Sequence, residues 1–169
     1  MHSEQLTSML RSKQQRIVFA ESCTAGLIAA TLGRIPGVSE VLAGSAVVYQ
    51  LETKTAWLNI SAAMLERCGA VSREVSEQMS RGVLATTPHA TIAASVTGHL
   101  GPDAPAELDG TAWSTVAYRD ADQVKCESRK LVLDEPKFEN PDGVSLRQMR
   151  QQRAADQVMA LCIEVLSRQ

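Results

Sequence analysis

A short apolar run, Ile17 to Ala20, leads into the small polar segment Glu21-Ser22-Cys23-Thr24-Ala25-Gly26, and a second apolar stretch, 27–32, follows at once. This order predicts a β-strand, a tight turn and an α-helix, the unit from which α/β folds are built. Ser and Thr are preferred where helices begin, so the helix is predicted to start near Thr24. The N–H groups and hydroxyls at that end favour an anion or oxyanion, although an ordinary capped helix explains the same pattern.

The alternation of strands and helices continues along the chain. Strands are predicted at 16–21, 42–49, 90–96, 111–118 and 124–133, and helices at 3–14, 24–32, 52–58, 62–68, 72–85 and 144–166. This pattern predicts a three-layer α/β/α sandwich with a mixed, mainly parallel sheet of about five strands. The loop at 119–122 is too short for a helical crossover, so the last two strands are predicted to be antiparallel.

Length and charge restrict the class of protein. With 169 residues and a formal net charge of -2, the chain is expected to form a single domain over 1–169. It offers no strongly basic surface for nucleic acid. The most apolar stretch, Leu42 to Val48, is too short to span a bilayer, and the first residues lack a signal-peptide pattern. We therefore expect a cytoplasmic protein without nucleic-acid or membrane partners. The proline-containing segment 135–143 is predicted to be an irregular connector.

The cysteines do not form a metal motif. Cys23, Cys68, Cys126 and Cys162 lie far apart and have no histidine at ligand spacing, so no metal is expected. Cys68 and Cys162 occur in apolar helical patterns and are predicted to be small buried side chains. Cys23 lies at the predicted start of a helix, where the pKa of a thiol tends to be lowered.

Polar side chains follow three predicted strands, where ligands bind in open α/β sheets. Ser22 and Tyr49 occupy two of these strand ends, and the segment from Thr97 to Pro102 is predicted to be a glycine-bearing turn after a third. Backbone N–H groups of such a turn can hold an anion, and a purely structural turn is the equal alternative. Lys54, one turn after Tyr49, could activate a serine hydroxyl if it were desolvated; an exposed lysine on a short helix is the ordinary alternative.

Five segments in sequence carry a family resemblance. VFAESCTAGLIAA at 18–30, VVY at 47–49 with Lys54, GAVS at 69–72, SVTGHLGP at 95–102 and GTAW at 110–113 resemble, in order, AESCTGGLIA, VTYSNEAK, GAVS, SVTGIAGP and GTVW. These are segments of the CinA carboxyl-terminal domain family, also known as nicotinamide mononucleotide deamidase. The resemblance covers nearly the whole chain.

The resemblance implies hydrolysis of the carboxamide of nicotinamide mononucleotide, a small-molecule nucleotide, to nicotinate mononucleotide and ammonia. It implies Ser22 as the nucleophile, with Lys54 and Tyr49 activating it, and neither a metal nor another cofactor. The residues predicted to bind the substrate on this basis are Cys23, Thr24, Gly26, Thr97, Gly98 and Arg150. Arg150 best fits an arginine at the start of the family's last helix, with Arg147 and Arg153 as alternatives; arginine suits a phosphate or carboxyl group.

Departures from the family pattern surround these residues. Ala25 replaces a glycine, Gln50-Leu51 replaces Ser-Asn, His99-Leu100 replaces Ile-Ala, and the segment 103–106 replaces a glycine-rich loop. A catalytically altered or inactive relative that binds a nucleotide or a protein partner is therefore the alternative function. A second alternative makes Cys23 and His99 a thiol and imidazole pair.

Two further expectations concern assembly and selectivity. The amphipathic first helix, together with the resemblance, predicts a homo-oligomer. The loop from Thr97 to Pro105 is predicted to set which ligand is accepted, because Asp103 adds negative charge and Pro105 stiffens the backbone.

Overall fold

The computed structural model describes residues 1–134 and 143–169. In these ranges the strands are β1 (Ile17–Glu21), β2 (Leu42–Val47), β3 (Ile92–His99), β4 (Thr111–Asp120) and β5 (Gln123–Val132). The α-helices are α1 (His2–Ser12), α2 (Leu27–Leu32), α3 (Leu51–Leu58), α4 (Ala62–Cys68), α5 (Arg73–Ala85) and α6 (Leu146–Ser167). The predicted connector at 135–143 lies outside the described residues, apart from Gly143.

The strands form one five-stranded sheet in the order β2-β1-β3-β4-β5. β1 pairs in parallel with both β2 and β3, whereas β4 is antiparallel to both β3 and β5. Four strands therefore run in one direction and β4 runs in the other. The predicted α/β fold with a mixed, five-stranded sheet is confirmed.

Helices cover both faces of the sheet. α1, α2 and α6 bury one apolar cluster, in which Phe19 and Ile92 come from the strands. α3, α4 and α5 bury a second cluster with Val18 and Ala93. Successive residues of a strand point to opposite faces, so the continuous apolar run of β1 supplies both clusters. The result is the three-layer arrangement that the sequence predicts.

The structure corrects two predicted boundaries near the candidate site. α2 begins at Leu27 rather than Thr24, because Ala25 (φ 52°) and Gly26 (φ 96°) adopt left-handed conformations that cannot belong to a right-handed helix. β3 continues through His99, so the first three residues of the turn predicted at 97–102 belong to the strand. These residues pair with 111–113 of β4, and that pairing keeps the backbone extended.

The strand order creates a crevice at the carboxyl end of β1. β1 lies between β2 and β3, and the connections leaving β1 and β2 cross on opposite faces of the sheet. Ligands of open α/β sheets bind where the strand order reverses in this way. Ser22, the first residue after β1, lies at this point.

Candidate active site

Ser22 is fixed between the two neighbouring strands. Its backbone N–H donates to the carbonyl of Val96 at 3.1 Å, and the preceding carbonyl, of Glu21, accepts from the N–H of Val48 at 2.8 Å. Only 7% of Ser22 is exposed. The β-sheet pairing therefore continues one residue beyond β1 and holds Ser22 at the crevice.

Lys54, in the first half of α3, is buried against Ser22. Lys54 is 1% exposed, and its Nζ lies 3.0 Å from Ser22 Oγ, 2.7 Å from the carbonyl oxygen of Val48 and 3.2 Å from that of Tyr49. Burial lowers the pKa of Lys54 below its ordinary value of 10.5, because the charged form loses its hydration.

The three partners of Lys54 differ in what they can do. The carbonyl oxygens of Val48 and Tyr49 only accept hydrogen bonds, so each takes an N–H of the amine. The hydroxyl of Ser22 can accept or donate. A neutral amine that uses two N–H groups on the carbonyls can turn its lone pair to the Ser22 hydroxyl. The arrangement therefore suits removal of the Ser22 proton by Lys54.

The amino-terminal end of α2 is occupied by a carboxylate of the chain itself. Glu21, which is fully buried, accepts hydrogen bonds from the backbone N–H groups of Gly26, Ile28 and Ala29, all at 3.0 Å. It also accepts from the hydroxyls of Thr24 and Ser45. The sequence predicted a ligand anion at this helix end, whereas the structure places Glu21 there. The Thr24 hydroxyl and the Gly26 N–H are therefore already engaged.

Cys23 faces the opposite layer from Ser22. It is buried in the cluster formed with α1, α2 and α6, and its carbonyl accepts a hydrogen bond from Gln151 at 3.0 Å. Burial raises the pKa of its thiol to about 12, so the prediction of a lowered pKa was wrong. A thiol that stays protonated at neutral pH is a poor nucleophile. No hydrogen bond joins Cys23 to His99 within the described ranges, and the geometry disfavours that pair.

Tyr49 contributes to the site in two ways. Its carbonyl accepts from Lys54, whereas its half-exposed side chain directs its hydroxyl to a guanidinium N–H of Arg147. Among residues 1–134 and 143–169, its hydroxyl has no hydrogen bond to Ser22 or Lys54. The backbone of Tyr49 orients Lys54, and its ring forms part of the rim.

The structure separates the arginines at the start of α6. Arg150, predicted to bind substrate, is 4% exposed and donates to both carboxylate oxygens of Asp109 at 2.8 and 3.0 Å. It also donates to Asp134 at 2.8 Å and to the carbonyl of Leu100 at 3.2 Å. Its guanidinium is thus held by internal acceptors. Arg147 instead reaches Tyr49, and it also donates to the carbonyl of Gly101. Arg147 is the arginine placed at the rim.

Thr97 and Gly98 have structural partners in β3. The hydroxyl of Thr97 donates to the carbonyl of Ala70 at 2.8 Å, which ties the connection before α5 to the sheet. A Cβ at Gly98 would lie 2.5 Å from the Cβ of Ala112 on β4, so close strand packing requires glycine there. Thr97 therefore connects the segment before α5 to β3, whereas Gly98 allows β3 and β4 to pack closely.

Sequence reasoning missed two carboxylates that organise the site. Glu21 is the last residue of β1 and directly precedes the turn to α2; an acidic residue beside a helix start was the available signal. Asp109 holds Arg150 from a loop 41 residues away, and no local pattern indicates that contact. Within the described ranges, no group of three or more His, Cys, Asp or Glu side chains could hold a metal ion, and no helix combines the length and apolarity needed to cross a membrane.

Fold and site together define an α/β domain with a serine and a buried lysine at the carboxyl ends of parallel strands. The chain belongs to the CinA C-terminal domain family, whose match covers residues 1–140. A CinA-like protein of Myxococcus xanthus is 46% identical over 93 residues, which are 55% of this chain and 22% of that protein. A CinA-like protein of Pseudothermotoga lettingae is 37% identical over 116 residues, 68% of this chain and 28% of that protein. The chain spans about a quarter of the length of these curated relatives.

Solved structures share the fold. A CinA superfamily protein from Klebsiella pneumoniae superposes with a TM-score of 0.86 at 24% identity, over 99% of this chain and 97% of that one. A competence/damage inducible protein from Agrobacterium tumefaciens gives a TM-score of 0.82 at 24% identity, over 98% and 93% of the two chains. At this identity the superpositions establish a common architecture.

Proposed function

We propose that the protein is an amidohydrolase that converts the carboxamide of nicotinamide mononucleotide to the carboxylate of nicotinate mononucleotide and releases ammonia. One observation carries the proposal: the amine of Lys54 is buried and lies 3.0 Å from the hydroxyl of Ser22. Membership of the CinA C-terminal domain family supports the same reaction. A buried amine with a lowered pKa is a means of activating a serine nucleophile.

In this mechanism Ser22 Oγ attacks the carboxamide carbon while its proton passes to the neutral amine of Lys54. Lys54 then returns that proton to the leaving nitrogen, and ammonia departs from an ester formed with Ser22. Water completes the cycle: Lys54 takes a proton from water as it attacks the ester, and Ser22 Oγ is released with a proton. Tyr49 and Val48 hold the amine in place through their carbonyl oxygens.

Arg147 supplies the positive charge for the anionic part of this substrate. Among the described residues it donates to the Tyr49 hydroxyl and the Gly101 carbonyl, which are both neutral acceptors. A phosphate would be a stronger partner than either, because it brings a negative charge and can accept two parallel N–H bonds from the guanidinium. Arg150 keeps its two carboxylate partners and supports the loop that Arg147 contacts.

The test is ammonia release from nicotinamide mononucleotide by the purified protein, with nicotinate mononucleotide identified by chromatography. Ser22→Ala should abolish turnover and leave the thermal melt unchanged, whereas Ser12→Ala, an exposed control on α1, should keep full activity. Equal turnover by Ser22→Ala and the wild type would refute the proposal. Calorimetric binding of the nucleotide without ammonia release would favour the alternative of a binding domain without catalysis.

A further inference from the structure

Within the part of the chain that the structure describes, the backbone after Ser22 contains two N–H groups with no oxygen acceptor. Around this turn the N–H of Ser22 donates to the carbonyl of Val96. The N–H of Ala25 donates to the carbonyl of Ser22, and that of Leu27 donates to the carbonyl of Thr24. Those of 26, 28 and 29 donate to Glu21. Only the N–H groups of 23 and 24 have no oxygen acceptor among the described residues; that of Cys23 contacts its own thiol sulfur, which is a weak acceptor. Buried N–H groups in folded proteins are nearly always paired, so this exception calls for a ligand.

Burial makes the two unpaired groups unusual. Cys23 is 4% exposed and Thr24 is 2% exposed. An unsatisfied buried donor costs about 1–3 kcal/mol, and here two such donors are consecutive. They follow directly on the residue whose hydroxyl contacts Lys54. In hydrolases with a serine on a sharp turn after a strand, the N–H of the next residue stabilises the negative oxygen of the intermediate.

Two cations, Arg147 and Lys54, lie near enough to act on this turn. Burial dominates the pKa of the Cys23 thiol and raises it, whereas the positive charges of Arg147 and Lys54 act in the opposite direction by stabilising a negative charge there. Glu21 opposes them more weakly, and its carboxylate already accepts five hydrogen bonds from the chain. The turn is therefore short of an oxygen acceptor among the described residues and has two cations nearby.

We infer that the backbone N–H groups of Cys23 and Thr24 form an oxyanion hole for acyl transfer at Ser22, an inference that rests on the proposed amidohydrolase function. As Ser22 Oγ bonds to the carbonyl carbon, the π electron pair of the carbonyl moves onto its oxygen. The proton of Ser22 goes to Lys54. The two N–H groups then donate to the new negative oxygen, until the electron pair returns to re-form the carbonyl and the leaving group departs with the proton.

The experiment removes one backbone N–H and leaves every side chain unchanged. The α-hydroxy acid counterpart of threonine is incorporated at position 24, so that an ester replaces the amide while the Thr24 hydroxyl keeps its bond to Glu21. Loss of one oxyanion donor should lower kcat roughly 100-fold, with KM little changed. The rate of Ser22 acetylation by p-nitrophenyl acetate should fall by a similar factor, because this reaction passes through the same kind of oxyanion.

Two controls isolate the effect. An ester at Leu27 removes an N–H that donates to Thr24 within the turn, and it should lower the melting temperature without a comparable loss of kcat. The ester at position 24 also makes the carbonyl of Cys23 a weaker acceptor. Gln151→Leu removes the side chain that donates to this carbonyl, and this variant should change kcat less than threefold.

The outcomes separate this inference from the proposed function. Wild-type acylation and turnover rates in the ester at position 24 would overturn the oxyanion hole and leave the proposed function standing. A second outcome is that the ester slows acetylation of Ser22 while the wild-type protein does not hydrolyse nicotinamide mononucleotide. This outcome would support the oxyanion hole and refute the proposed substrate. Absence of any Ser22 acylation in the wild type would overturn both.

Discussion

Arg147, at the start of α6, donates a hydrogen bond to the hydroxyl of Tyr49, a residue 98 positions earlier in the chain. The contact joins the last helix to the segment that carries Lys54, and it places a cation beside Tyr49. Arg150, one turn further along the same helix, is turned inward to Asp109 and Asp134. Two arginines three residues apart thus have different tasks.

We expect Arg147→Gln to raise KM for nicotinamide mononucleotide and leave the fold intact. Hydrogen bonds to charged groups contribute about 1.5–3 kcal/mol, which corresponds to an increase in KM of roughly 10- to 100-fold. The matched variant Arg150→Gln should instead lower the melting temperature by roughly 5 °C, because it removes a buried guanidinium together with its hydrogen bonds to internal acceptors. Steady-state kinetics and thermal melts on both variants check the pair. The reverse pattern would show that Arg150 binds the substrate.

The lowered pKa of Lys54 predicts a pH dependence of both activity and stability. Between this lowered pKa and the ordinary value of 10.5, the unfolded chain binds a proton at Lys54 that the folded chain does not. The free energy of unfolding should therefore rise with pH across this window. Turnover should rise in the same direction, as the neutral amine becomes available to accept the Ser22 proton.

Lys54→Met removes the amine and tests both expectations. Its stability should lose the part of the pH dependence that Lys54 supplies, and its turnover should be negligible at every pH. Lys13→Met, at an exposed lysine after α1, should behave as the wild type. Denaturant melts and initial rates from pH 6 to roughly 10 provide the data. A Lys54→Met variant with the wild-type pH profile would exclude Lys54 as the base.

Ala25→Gly should stabilise the protein. Ala25 is exposed and has a φ of 52°, a conformation that costs a residue with a Cβ about 1–2 kcal/mol. Glycine removes that cost, but it also increases the entropy of the unfolded chain, which destabilises the fold by about 0.4–1 kcal/mol. The free energy of unfolding should therefore rise by about 0.5–1 kcal/mol. Ala63→Gly, in α4, should destabilise by a similar amount, because its helical backbone has no strain to relieve. A destabilised Ala25→Gly variant would contradict this reading of the turn.

Asp103→Gly should strengthen binding of nicotinamide mononucleotide, as the sequence already predicts. Asp103 is exposed and has a φ of 66°, so glycine suits its backbone and also removes a negative charge near the loop that Arg147 contacts. Asp103→Asn separates the two effects, since it removes the charge and keeps a side chain. Titration calorimetry measures all three proteins. Affinity that is unchanged or weaker in Asp103→Gly would show that this loop does not discriminate between ligands.

The sequence predicts the element order, and the family resemblance pairs Ser22 with Lys54; the strand topology explains why the two residues meet. Carboxyl ends of parallel strands lie at the same edge of a sheet, so residues just after β1 and β2 are brought together by the topology itself. The direction of each side chain is not fixed in that way. The helix end that Glu21 occupies looks the same in sequence as one that is open to a ligand.

Long-range contacts explain the other differences between sequence and structure. Arg147 and Arg150 are nearly one helical turn apart, and only Asp109 and Asp134, distant in sequence, determine which of them is turned inward. Gly98 resembles a ligand-binding glycine in sequence, and its need for a small residue comes from Ala112 on the adjacent strand. The pKa of Cys23 follows from burial in the layer opposite Ser22, which no local pattern reveals.

Identification of the residue that becomes acylated during turnover tests the proposed mechanism most directly. The wild-type protein is mixed with nicotinamide mononucleotide, quenched with acid within one turnover, and mapped by peptide mass spectrometry. We expect a nicotinate mononucleotide ester on Ser22, which is absent in Ser22→Ala and does not form in Lys54→Met. An adduct on Cys23, or ammonia release that continues in Ser22→Ala, would contradict the proposed mechanism.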